Sequence, residues 1–138
     1  MSEQPGIRRI VTGHDDSNVA KVINDGTATN TKQAGTGAVS TLIWCTDETP
    51  GDILIGEDFE DMGARIIGTQ PPSGGSRFAV IEFPPGEPTR MHRTESIDYV
   101  LCLAGKIDMD MDESTVTMGA GDVMVQRGTN HAWVNRND

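Results

Sequence analysis

Nowhere in the 138 residues do apolar side chains recur at i, i+3, i+4 and i+7 for more than about two turns, which leaves no room for a long amphipathic helix. Short β-branched runs, punctuated by 16 glycines and seven prolines, take its place. Alternation and composition predict strands over 6–14, 18–24, 38–46, 64–69, 76–83, 96–104, 106–111, 114–119, 122–126 and 131–135. From residue 76 onward these runs follow one another through brief turns, the spacing of an antiparallel barrel or sandwich.

The first half is looser. Segments 24–37 and 47–63 are polar and carry glycine, as surface loops do, and the second has room for a short helical turn. At this length a single domain is expected. Its strands and loops over 1–75 would pack on a core formed by 76–138, or on a partner subunit. Early strands bearing Ile7, Ile10, Val11, Val19, Val22 and Ile23 are suited to covering unpaired edges, and a homodimer is expected on that ground.

Charge narrows the function. A net charge of −10 and a pI near 4.6 disfavour nucleic acid and anionic membrane surfaces, because both need clustered Lys or Arg. No basic stretch followed by an apolar core opens the sequence, and no run approaches membrane-spanning length, so a cytoplasmic location is the expectation. Cys45 and Cys102 lack C-x-x-C spacing and read as buried free thiols.

Strand parity places Arg90, His92 and Thr94 on one face, with Met91 and Arg93 on the other. In a straight strand His92 and Asp98 would stand roughly 20 Å apart, too far to meet at one ion. A bend at the polar segment 94–96 would let them face each other across adjacent strands, and His131, opening the last strand in step with Trp133, would supply a second imidazole. Two histidines and a carboxylate form the type of set that binds Fe(II) with positions left open. The alternative is a metal-free pocket in which both rings hydrogen-bond a ligand, a water or Asp98. His14, beside Asp15 and Asp16, reads as a solvated strand end.

The segment from Gly86 to Asn135 resembles the cupin superfamily, whose first motif is G-x5-H-x-H-x3–4-E-x6-G and whose second is G-x5-P-x-G-x2-H-x3-N. Gly86, His92, Thr94, Asp98 and Gly105 reproduce the first spacing. Gly121, Gln126, Gly128, His131 and Asn135 follow the second, with Gln126 in the proline position and the opening interval one residue short. The runs "HRT…S.DY" and "QRGTNHAW" are similar to those of small single-domain cupins. The resemblance implies an all-β, cupin-type double-stranded β-helix or jelly-roll barrel with extra N-terminal strands. It also implies a divalent transition metal (Fe, Mn, Ni or Zn) on His92, Asp98 and His131, although Thr94 stands where the family has a second histidine and Asp98 where it has glutamate.

Arg90 suits a substrate carboxylate, and Thr94 and Trp133 are the other substrate-binding candidates. Tyr99 has the opposite parity to Asp98 and is expected to face away. With no G-x-G-x-x-G, P-loop or G-x-S-x-G present, the expectation is a small metal-dependent enzyme of lyase or isomerase type acting on a small organic acid or polyketide-like molecule. A metal-free small-molecule-binding protein without turnover is the alternative.

Overall fold

The computed structural model describes residues 6–56 and 58–137. Among them the regular structure is β except for one 3-10 turn, and no helix is long and apolar enough to cross a membrane. The chain divides into two compact units, one formed by residues 1–33 and 39–81, the other by 34–38 and 82–138.

In the first unit β1 (Arg8–His14) and β2 (Ala20–Thr27) form an antiparallel ribbon whose register slips between Val11 and Thr12. β3 (Thr31–Gln33), β4 (Val39–Thr46) and β5 (Ser76–Glu82) form a three-stranded sheet with β4 in the middle. The central strand is the most apolar, and it buries Thr41, Leu42 and Cys45. Arg9 grips Asp61 with both ends of its guanidinium, Nη1 to Oδ1 at 2.9 Å and Nη2 to Oδ2 at 2.7 Å. Asp61 in turn accepts the Gly63 N–H at 2.9 Å and caps the 3-10 turn Met62–Ala64. At Gly63 an added Cβ would collide with the carbonyl oxygen of Ile43, so only glycine lets the turn approach β4 this closely.

Two expectations change here. Segment 64–69 is no strand: apart from Ala64 in the 3-10 turn it is irregular, and Ile66 is 97 % exposed, because two adjacent isoleucines beside Gly68 give apolarity without alternation. Conversely, β3 lies inside a segment expected to be loop. Its three residues are all polar and exposed, and they become strand by pairing with Val39, Ser40 and Thr41.

In the second unit β6 (Ile97–Leu101) pairs with β9 (Val123–Arg127), while β7 (Lys106–Asp110) lies between β8 (Thr115–Gly119) and β10 (Ala132–Val134). Every pairing is antiparallel, as the short turns predict. Met109, Met118, Ala132, Val134 and Cys102 supply the apolar core, and Cys45 and Cys102 are both free thiols. The acidic run is tied down: Arg136 holds Asp110 through Nη2 at 2.6 Å and Asp108 through Nη1 at 2.9 Å. Thr117 and Thr115 also donate to these two carboxylates.

Candidate functional site

The segment from Phe83 to His92 carries no long strand, yet it runs along the last one. Asn135 Nδ2 donates to the Phe83 carbonyl at 2.8 Å, and the Gly86 N–H donates to the Asn135 carbonyl at 3.2 Å. Thr89 and Trp133 exchange two bonds, the second made by the Trp133 N–H to Thr89 Oγ1 at 2.8 Å. The line ends at His92 and His131, which exchange both backbone hydrogen bonds, at 3.0 and 2.9 Å.

That pairing sets the rings side by side, with centroids 4.4 Å apart and planes at 54°. His131 is buried, 4 % exposed, while His92 is exposed. Both rings are oriented in the same manner. His92 Nδ1 lies 2.7 Å from the Arg90 carbonyl oxygen, and His131 Nδ1 lies 2.7 Å from that of Thr129. A carbonyl oxygen only accepts, so each Nδ1 carries the hydrogen, and in the neutral ring each Nε2 keeps a lone pair. Trp133 stands edge-on to His131 at 6.0 Å and tilted to Phe83 at 6.1 Å, forming an apolar wall on one side of the pair.

Asp98 lies further along the same ladder. The chain does bend at 94–96, where the Ser96 N–H donates to the Thr94 carbonyl at 2.8 Å. It does not fold back there. The strand resumes against the same partner: Gly128 N–H donates to the Ser96 carbonyl at 3.0 Å, Ile97 pairs with Arg127, and Asp98 pairs with Gln126. Four residues (93–96) thus oppose three (128–130), a bulge that Gly128 accommodates at φ 59°. The expectation that His92 and Asp98 face each other across adjacent strands is therefore corrected, because both lie on one side of a single ladder. His131 faces His92, and Gln126 faces Asp98.

The Asp98 carboxylate is already engaged. Ser96 Oγ donates to Oδ1 at 2.7 Å and Gln126 Nε2 donates to Oδ2 at 3.0 Å. Gln126 is 3 % exposed, and its Oε1 has no donor among the described residues. This partner was not foreseen, although the glutamine in a position expected to hold proline was a signal for it. Among the described residues no group of three or more His, Cys, Asp or Glu stands where one metal ion could be held. Two imidazoles are donors that Fe, Mn, Ni or Zn accept. The side chains present fit a two-imidazole anchor and not the three-ligand set. Of the other expected site residues, Arg90 is exposed and lends its carbonyl to His92, and Thr94 is half-buried with its carbonyl in the bend. Tyr99 is 85 % exposed, on the outer face that parity assigns it.

The cupin domain family matches residues 79–138, the stretch that holds both motifs. Phomopsin biosynthesis cluster protein C' of Diaporthe leptostromiformis is 41 % identical over 101 positions, covering 69 % of this chain and 52 % of that protein. The cupin-domain-containing oxidoreductase srdD of Neurospora crassa is 35 % identical over 102 positions, 71 % of this chain and 50 % of that protein. The cupin-domain-containing oxidoreductase virC of Hypocrea virens is 33 % identical over 140 positions, 95 % of this chain and 70 % of that protein. The chain belongs to the cupin superfamily, and its fold is of the all-β jelly-roll class. It spans about half the length of the first two of these relatives.

Proposed function

We propose that this chain is a small cupin enzyme that moves a proton on a small organic acid or polyketide-like substrate, in lyase- or isomerase-type chemistry such as enolisation, dehydration or decarboxylation. The observation that carries this reading is the His92–His131 pair, with ring centroids 4.4 Å apart and both Nδ1 atoms held by backbone carbonyls, which leaves each Nε2 for chemistry. One Nε2 takes the proton from a carbon next to a carbonyl, and the electron pair moves onto the carbonyl oxygen. The ring that took the proton, or its neighbour after transfer, returns it at the new position. The exposed His92 exchanges protons with solvent, whereas the buried His131 is fixed by its bond to Thr129. Trp133 supplies the apolar contact against which an aromatic or polyketide-like ring packs. The reading includes a homodimer, supported by the apolar side chains of Ile97, Tyr99, Leu101, Val123 and Val125 exposed on the β6–β9 ribbon.

The test is wash-in of solvent deuterium, followed by NMR, over a panel of 2-oxo acids, β-keto acids and aromatic polyketides. The wild type is expected to label the carbon next to a carbonyl in at least one of them, with the labelling lost in His131→Gln. Binding without labelling for every member of the panel contradicts turnover and leaves a binding protein.

A second reading, oxidoreductase, is favoured by the names of the relatives from Neurospora crassa and Hypocrea virens. It differs in its demand for an electron acceptor. Substrate-dependent consumption of O2 or of a nicotinamide, in place of deuterium wash-in, decides for it.

A further inference from the structure

Five arginines in the described residues have a carboxylate within ion-pair distance: Arg8, Arg9, Arg65, Arg93 and Arg136 meet Asp25, Asp61, Asp47 with Glu60, Glu95, and Asp108 with Asp110 respectively. Arg77, on β5, is half-buried and has no carboxylate partner among the described residues, whereas the other two unpaired arginines, Arg90 and Arg127, are exposed to water. Among the described residues the guanidinium of Arg77 makes a single hydrogen bond, from Nη2 to Ser40 Oγ on β4 at 2.8 Å. Its Nε is closed off from solvent and has no acceptor among the described residues.

In a chain with 21 Asp and Glu residues, leaving a partly desolvated cation with one neutral hydroxyl is a costly arrangement for the free protein. Burial also draws the Arg77 pKa down from its ordinary value, the direction expected for a cation short of compensation. Nη1 has no protein acceptor among the described residues and Nη2 donates to Ser40 alone, so the guanidinium keeps N–H groups of the kind that bind a planar oxyanion through parallel hydrogen bonds. Ser40 Oγ holds the guanidinium in place by accepting from Nη2. Both residues belong to the first unit, apart from the unit that carries the histidine pair.

We propose that Arg77, oriented by Ser40, is an oxyanion-binding site that takes the carboxylate of a small organic acid, or a phosphoryl group of the same charge and geometry. This assigns to Arg77 the role that the sequence alone suggested for Arg90.

The experiment titrates the full-length protein with propionate and, separately, with inorganic phosphate, at constant ionic strength with chloride as the reference anion. The side-chain Nε–H resonance of Arg77 and the thermal midpoint are followed together. One of the two anions is expected to shift the Arg77 resonance saturably and to raise the midpoint, and the anion that does so identifies the ligand as carboxylate or phosphoryl. In Arg77→Gln the rise in midpoint is expected to vanish. Arg77→Met is expected to be more stable than the wild type in chloride alone, because the uncompensated charge is gone. An Arg77 resonance indifferent to both anions overturns the proposal even if the variants fail to fold, and so does an equal rise in midpoint in Arg77→Gln.

Discussion

His92 and His131 share both hydrogen bonds of a single antiparallel bridge, and their rings are 4.4 Å apart with each Nδ1 tied to the carbonyl two residues before it. The two residues are remote in sequence, and the backbone bridge brings the rings together. Replacing either ring removes one Nε2 from the pair. His92→Gln and His131→Gln are each expected to slow deuterium wash-in by roughly 100-fold or more, the range of a lost general base. Rates by NMR check this, with circular dichroism confirming that the strands persist.

The metal prediction separates the imidazoles from the carboxylate. In a titration with Ni2+ or Zn2+, His92→Ala and His131→Ala are each expected to weaken binding about tenfold or more, whereas Asp98→Asn changes it by less than about twofold. Calorimetry measures all three. A large loss in Asp98→Asn would restore the carboxylate as a ligand.

How much of this was legible beforehand differs by element. The strands of the second unit are written in alternation and turn residues, which are local, and β6 to β10 fall within a few residues of the sequence expectation. The polar β3 and the irregular stretch around Ile66 depart from local pattern, because pairing with β4 makes the first a strand and the second pairs with no strand among the described residues. In the site, motif spacing singled out His92 and His131. The partner of Asp98 was not legible, because it depends on the cross-strand register of β6 on β9, set by the bulge at 93–96 and Gly128. Arg77 carried no signal at all: its distinction is that none of the carboxylates among the described residues pairs with it in space.

Stability in acid depends on the first unit's buttress. The Arg9 guanidinium, with help from the Gly63 N–H, holds the Asp61 carboxyl below its ordinary range. A carboxyl with a depressed folded-state pKa contributes stability that is fully present above about pH 4 and is lost as pH falls through the folded value. Asp61→Asn is therefore expected to be less stable than the wild type near neutrality, with the gap closing as pH falls below about 4. Thermal midpoints of both proteins across that range test it.

Gly63→Ala puts a methyl group against the Ile43 carbonyl, a backbone atom that cannot swing aside. A loss of roughly 1–3 kcal/mol or more is expected from such overpacking, measured by urea unfolding. Gly26→Ala, where an added Cβ meets nothing within 4 Å, is the control and is expected to cost less than about 1 kcal/mol.

The tautomer of the paired rings is the most direct test of the site. Long-range 1H–15N NMR of the protein labelled at histidine reports which ring nitrogen carries the hydrogen. Protonated Nδ1 and bare Nε2 on both His92 and His131 is the predicted result; a hydrogen on Nε2 of either neutral ring contradicts the account.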